Sequence, residues 1–160
     1  MAIDWYLRTK FLSRLLHKAS EIRNFSLLLD YSFIFFDIQH LMKLNSSTSL
    51  NTQTTEIYYR AQNINADDLY NLRMNLNNII SINRYIDLCK TAEQAINEVS
   101  STSNTLETVL YHCSINHSYI SISDNKIFLS IGTLFHIKHI GMEIDGVWHV
   151  HLDMMTKNDI

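Results

Sequence analysis

The sequence contains no proline and only three glycines, Gly132, Gly141 and Gly146, all in its last third. Turns before Gly132 must therefore use Asn, Asp and Ser, and the shortage of helix-breaking residues favours helices there. Cysteine is also scarce, because Cys89 and Cys113 are the whole complement. Two cysteines are too few for a disulfide scaffold and suit a reducing compartment. We expect a cytoplasmic protein, of bacterial type.

A large net charge and an uninterrupted apolar run are absent as well. Sixteen acidic and thirteen basic residues give a net charge of -3, which makes nucleic acid an unlikely partner. The most apolar stretch, residues 25–42, contains Asp30, Asp37 and His40. Ionisable groups are costly at bilayer depth, so this stretch predicts a buried helix and no membrane contact. The N-terminal stretch up to Arg23 does not resemble a targeting signal.

The spacing of apolar residues predicts an α+β fold in a single domain, residues 1–160. Helical spacing covers most of the chain before Asn104, although EIYYRAQ suits either a strand or a helix. After Asn104 the period changes to two, with many β-branched and aromatic residues. We therefore expect N-terminal helices (about 1–100) packed on a C-terminal antiparallel β-sheet, a meander at about 105–155. The predicted helices are residues 4–22, 25–44, 66–81 and 91–99, and residues 45–55 form a loop.

The stretch HIGMEIDGVWHVHLD, residues 139–153, predicts a β-hairpin around Asp145 and Gly146. A three-residue loop with Gly146 in the left-handed region pairs Gly141 with His149 and His139 with His151. This register gathers the apolar residues on one face and the histidines on the other. Because the face that must be buried sets the register, we predict this arrangement, with the histidines on a hydrated face.

Three of these histidines, His139, His149 and His151, could form a zinc site, since neutral imidazoles are ordinary zinc ligands and the three lie on adjacent strands. The alternative is a polar face without metal. A strand with the pattern His-x-His often has no metal, and no acidic residue is placed as an obvious partner for the ligands. We expect no metal and no cofactor, and keep the zinc site as an alternative.

Cys89 and two histidines suggest a second chemistry. Cys89 directly precedes the helical segment KTAEQAINEV. His139 lies fifty residues after Cys89, and His151 lies twelve residues after His139. This order resembles the NlpC/P60 branch of papain-like cysteine hydrolases. The resemblance implies a catalytic triad of Cys89, His139 and His151, with the thiolate as nucleophile. Lys90 and Thr91 stand where that family usually has Ser-Gly.

The remaining hypothesis requires no catalysis. The chain is small and mildly acidic, is rich in aromatic residues, and lacks a phosphate-binding glycine loop and a Ser-His-Asp pattern. Such a composition suits a protein that acts by stoichiometric binding, such as an immunity protein, an antitoxin or a secretion chaperone. We rank this function first, as a protein that inhibits or sequesters a partner protein. The net negative charge predicts a basic partner, for example a toxin.

Overall fold

The computed structural model describes residues 10–48, 55–99, 105–116 and 119–155. The described residues form five helices and eight strands. The helices are α1 (Lys10–Glu21), α2 (Phe25–Asp30), α3 (Ser32–Thr48), α4 (Ala66–Met74) and α5 (Ala92–Asn97). The strands are β1 (Glu56–Ile64), β2 (Ile79–Ser81), β3 (Ile86–Cys89), β4 (Glu107–Ile115), β5 (Tyr119–Ser123), β6 (Lys126–Leu129), β7 (Leu134–Met142) and β8 (Trp148–Met154).

All eight strands belong to one mixed sheet, in the order β2-β7-β8-β4-β1-β3-β6-β5. Strands β4 and β8 run parallel over six residue pairs, and the other neighbours run antiparallel. The predicted fold of helices packed on an antiparallel meander is therefore wrong. A meander pairs strands in chain order, whereas here β1, from the half predicted to be helical, lies between β4 and β3.

Three strands lie in the part of the chain that the sequence predicted to be mostly helical. EIYYRAQ is the strand β1, which pairs with β4 over nine residues. The predicted helix at 66–81 ends at Met74, because Asn75 and Asn77 follow and Asn77 adopts a positive φ of 64°. Residues 79–81 then form β2 on the edge of the sheet, beside β7. The short helix predicted at 91–99 is confirmed as α5, with the Thr91 side chain accepting a hydrogen bond from the Gln94 amide.

The main core lies on one face of the sheet. Phe135 and Ile137 of β7, Val150 of β8 and Leu129 of β6 are completely buried there. The helix predicted at 25–44 is present as α2 and α3, but it does not lie at the centre of the core. Ile34 and Ile38 of α3 are buried, whereas six large apolar side chains within residues 10–48 are exposed: Phe11, Ile22, Phe25, Leu29, Phe33 and Phe36. Helix α3 extends to Thr48, into the predicted loop, and residues 49–54 lie outside the described residues.

The hairpin formed by β7 and β8 has the predicted register. Gly141 pairs with His149 and His139 pairs with His151. Gly146 adopts a φ of +77°, and the Glu143 amide donates a hydrogen bond of 3.1 Å to the Val147 carbonyl. Strand β8 is an interior strand with β4 on its other side. His149 lies against His112 of β4 and the acidic residues Glu143 and Asp145, and it is buried, with 7% of its surface exposed, where the sequence predicted a hydrated face.

No helix in the described parts of the chain is long and apolar enough to cross a membrane.

Candidate functional site

A cavity opens where strands β1 and β3 diverge. The two strands share a single residue pair, Tyr59 with Cys89, whereas β1 and β4 share nine. Helix α5 packs beside the gap and contacts both β1 and β3. The cavity has a volume of about 150 Å³. Its lining residues come from β1, β3 and α5 with the residue that ends that helix: Tyr59, Arg60, Ala61, Asp87, Cys89, Ala95 and Glu98.

Two basic and two acidic side chains form a network of ion pairs at this cavity. The Arg60 guanidinium donates from Nη1 to Asp87 Oδ1 at 2.8 Å and to the Asp87 carbonyl at 3.1 Å. The ammonium of Lys126, at the start of β6, lies 3.4 Å from the other Asp87 oxygen and also contacts the Glu98 carboxylate. We call Arg60, Asp87, Glu98 and Lys126 the charged cluster. Arg60, Asp87 and Glu98 line the cavity, and Lys126 contacts both of the carboxylates.

The charges of the cluster stabilise one another. Burial alone would raise the pKa of Asp87, but the charges of Arg60 and Lys126 outweigh it and lower this pKa below its ordinary value. Burial would also lower the pKa of Lys126, yet its bond to Glu98 and the charge of Asp87 raise it. Asp87 and Lys126 are therefore both ionised near neutral pH. The Arg60 Nε atom is buried and has no hydrogen-bond partner among the described residues.

The structure does not bring together the three residues of the predicted cysteine-hydrolase triad. Cys89 lies on β3, His151 on β8 and His139 on β7, and strands β1 and β4 separate β3 from β8. At a strand spacing of about 4.8 Å, Cys89 lies roughly 14 Å from His151 and roughly 19 Å from His139 across the sheet. Burial and the neighbouring Glu98 carboxylate also raise the pKa of the Cys89 thiol. The hydrolase alternative therefore lacks a contact between its nucleophile and its base.

The histidines of the hairpin do cluster, together with a residue that the sequence did not single out. Nε2 of His112, on β4, and Nδ1 of His149 share a hydrogen bond of 2.9 Å. The His112 ring stacks on His151 at a centroid distance of 4.4 Å, and His151 meets His139 edge-on at 5.6 Å. We call these four side chains, His112, His139, His149 and His151, the imidazole row. Gly141 makes room for it, since a Cβ there would lie 2.9 Å from His139 Nε2.

The geometry of the row does not suit the predicted zinc alternative. Both ring nitrogens of His149 are hydrogen-bonded, one to His112 and the other to Asp145 Oδ2 at 3.2 Å. Within residues 10–48, 55–99, 105–116 and 119–155, no three His, Cys, Asp or Glu side chains are arranged to hold a metal ion. His149 would have to give up a hydrogen bond before it could act as a ligand.

No local pattern in the sequence predicts the charged cluster. Its members lie far apart along the chain, and the pairing of β1, β3 and β6 brings them together. One signal was present in the sequence. Arg60 lies inside IYYRAQ and Asp87 inside YIDLC, and a charged residue inside a short apolar strand is rarely buried without an ionic partner.

No protein-family model matches the sequence, and no curated protein matches it either. Solved structures do match its fold. An ADP-ribosyltransferase from Clostridium botulinum aligns over 97% of this chain and 85% of its own, with a TM-score of 0.64 and 10% identity. C3larvin toxin, an ADP-ribosyltransferase from Paenibacillus larvae, aligns over 97% and 93%, with a TM-score of 0.63 and 9% identity. Vis toxin, an ADP-ribosyltransferase from Vibrio splendidus, aligns over 98% and 67%, with a TM-score of 0.54 and 15% identity.

The chain spans 60 to 67% of the length of the Vis toxin structures. At these identities the comparisons establish the fold alone. They overturn the function that we ranked first, because these structures with the same fold are transferases and not immunity proteins, antitoxins or inhibitors. The basic partner stays an untested prediction. The protein has the fold of the ADP-ribosyltransferases, with a charged cavity between β1 and β3.

Proposed function

We propose that this protein binds NAD⁺ at the cavity between β1 and β3 and transfers its ADP-ribosyl group to an acceptor, which we expect to be a protein. The observation that carries the proposal is the charged cluster at a cavity of an ADP-ribosyltransferase fold. A fold supports many functions, so the proposal depends on what the residues of the cavity can bind.

The size of the cavity suits one part of a dinucleotide. A volume of about 150 Å³ holds a single six-membered ring, which is the size of the nicotinamide group. The rest of the dinucleotide would then lie outside the cavity, along the sheet. The side chain of Tyr59 at the cavity wall offers an aromatic surface beside which a ring can pack.

Arg60 supplies the recognition of the anionic part. A guanidinium presents a planar set of donors that matches the oxygens of a phosphate, and such bonds are about twice as strong as neutral ones. Arg60 uses Nη1 for Asp87, and its Nε has no hydrogen-bond partner in the described parts of the chain. The side chain as a whole is 26% exposed, so a ligand at the cavity mouth can reach the solvent-facing part of the guanidinium, although not the buried Nε. A pyrophosphate is the group of NAD⁺ that would gain most from this contact.

The carboxylates supply the chemistry. In the transfer, the bond between the nicotinamide nitrogen and C1′ of the ribose breaks, and nicotinamide leaves as a neutral molecule. A nucleophile of the acceptor forms a new bond to C1′ and loses its proton. Positive charge develops on the ribose as the first bond breaks, and a nearby carboxylate stabilises it. Asp87 and Glu98 are the acidic residues that line the cavity.

One observation favours a second candidate, binding of the dinucleotide without transfer. Asp87 is paired with both Arg60 and Lys126, and Glu98 is paired with Lys126. A carboxylate that is neutralised by a cation stabilises a developing positive charge less well. In this case the protein would bind NAD⁺ or ADP-ribose, and nicotinamide would not be released.

Release of nicotinamide from NAD⁺ distinguishes the two candidates. The experiment incubates the purified protein with NAD⁺ and a host-cell lysate as acceptor, and compares Arg60→Ala with Arg14→Ala, which removes an exposed arginine of α1. Transfer predicts nicotinamide release and protein-bound ADP-ribose, both lost in Arg60→Ala and kept in Arg14→Ala. Saturable binding of NAD⁺ without release would support the second candidate. Absence of both would refute the proposed site.

A cytoplasmic location is also part of the proposal. It rests on the two cysteines, Cys89 and Cys113, which are both free and buried.

A further inference from the structure

The imidazole row is a second cluster of titratable groups, outside the cavity. His112, His151 and His139 lie directly opposite one another on β4, β8 and β7, so their side chains point to the same face of the sheet. The row fastens the β7-β8 hairpin to β4 through side chains as well as through the backbone ladder. Its ring contacts range from 4.4 to 5.6 Å between centroids.

The hydrogen bond between His112 and His149 depends on protonation. It joins two ring nitrogens at 2.9 Å, so one of them must carry a proton and the other must not. A single additional proton leaves the bond intact, because one ring nitrogen can still donate to the other. If both rings are fully protonated, two N–H groups face each other and the bond is lost.

The close carboxylate contacts of the row are those of His149. Glu143 lies 3.6 Å from His149, and Asp145 lies 3.2 Å from it. His112 instead has imidazoles on two sides and the Tyr59 ring in an edge contact at 5.2 Å. The charged and titratable groups that face the row from its surroundings are Tyr59 of β1, Lys138 of β7, Glu143 and Asp145 of the turn, and Asp153 of β8.

We propose that the imidazole row is an acid-sensitive latch, which holds the β7-β8 hairpin against β4 near neutral pH and loosens it in mildly acidic solution. Neutral rings stack and share hydrogen bonds, whereas two or more charged rings at these centroid distances repel one another. The interior position of β8 makes this repulsion difficult to relieve without separating the strands.

The pKa values support this direction. Burial, followed by the neighbouring His151 and His149, lowers the pKa of His112 to about 4. Burial and His139 lower the pKa of His151 below its ordinary value. Because the folded state disfavours the charged form, the unfolded chain takes up protons first as the pH falls below about 6.5. The stability of the hairpin therefore falls as the pH decreases from about 6.5 towards 4.

Hydrogen exchange tests the latch. The exchange of the β4 and β8 amides is followed from pH 7.5 to 4.5, after correction for the intrinsic pH dependence, in the wild type, in His112→Gln and in His136→Gln. Glutamine keeps a hydrogen-bonding group without gaining charge, and His136 lies on β7 outside the row, bonded to the Asn77 carbonyl. We expect at least a tenfold loss of protection in the wild type and His136→Gln, and a smaller loss in His112→Gln.

Equal loss of protection in His112→Gln and the wild type, or no loss in the wild type, would overturn the proposal. If His112→Gln does not fold, NMR titration of the histidine rings in the wild-type protein decides the question. A midpoint near 4 for His112, together with a His151 midpoint below the ordinary value of about 6.5, supports the latch, and midpoints at or above about 6.5 for both contradict it.

Discussion

The Arg60 guanidinium lies 2.8 Å from the Asp87 carboxylate, although the two residues belong to strands that share only one residue pair. The ion pair therefore bridges the gap in which the cavity lies. It fixes Arg60 at the cavity wall, and Lys126 holds the other oxygen of Asp87 from the next strand, β6. One carboxylate thus organises the two cations at the proposed binding site.

Replacing Asp87 with Asn should make the protein less stable at pH 7 than the wild type. In the folded protein, burial would raise the pKa of Asp87, but the charges of Arg60 and Lys126 outweigh it and lower this pKa. The charged form of Asp87 therefore stabilises the fold fully at pH values above the pKa that Asp87 has in the unfolded chain. That contribution is lost as the pH falls through the lower, folded pKa. Urea unfolding at pH 7 and at pH 3 measures it, and the gap between the wild type and Asp87→Asn should narrow at pH 3. A gap independent of pH would contradict the ion-pair explanation.

Replacing Phe135 with alanine should lower the free energy of unfolding by about 3 to 5 kcal/mol, the range for truncation of a large buried aromatic side chain. Phe135 is completely buried in the main core. The matched control is Phe36→Ala in α3, because the Phe36 side chain is 70% exposed. This substitution should lower the free energy of unfolding by less than about 1 kcal/mol. Equilibrium denaturation gives both values, and similar losses for the two variants would mean that the core is misplaced.

At pH 7.5, Cys89 should react with iodoacetamide at least tenfold more slowly than the thiol of a solvent-exposed cysteine in a short peptide. The thiol is buried, and burial together with the Glu98 carboxylate raises its pKa, which reduces the thiolate fraction. Cys113 is an internal reference, because burial raises the pKa of that thiol to about 12. Mass spectrometry of the alkylated protein measures both rates. Rapid, stoichiometric labelling of Cys89 would contradict this prediction and would indicate an activated thiol at this position.

Local patterns in the sequence predicted local structure correctly. The hairpin register followed from Gly146 and from the need to bury Val150 and Leu152, and both are buried. Thr91 marked the start of α5 because a cap acts on the amides just after it. These features depend on residues close to one another along the chain, where spacing determines geometry.

The order of the strands and the charged cluster depend on contacts over long distances in the sequence. Strand β3 has four residues, and a short apolar run such as IDLC is equally compatible with part of a helix. The parallel pairing of β4 with β8 and the place of β1 beside β4 leave no local signature. Arg60 and Asp87 are 27 residues apart, so their ion pair became visible only once those strands were placed. The burial of His149 was missed for the same reason, since the hairpin alone does not show that the His112 side chain of β4 lies against it.

Binding of ADP-ribose by isothermal titration calorimetry tests the central claim most directly, because it measures the site without requiring transfer. The wild type is compared with Arg60→Ala, and Arg14→Ala serves as the control. Loss of charge-assisted bonds from Arg60 costs about 1.5 to 3 kcal/mol, so Arg60→Ala should bind at least about tenfold more weakly. We predict saturable binding by the wild type, weaker binding by Arg60→Ala and unchanged binding by Arg14→Ala. A dinucleotide site at this cavity would be contradicted if the wild type does not bind up to about 1 mM ligand, or if Arg60→Ala binds as tightly as the wild type.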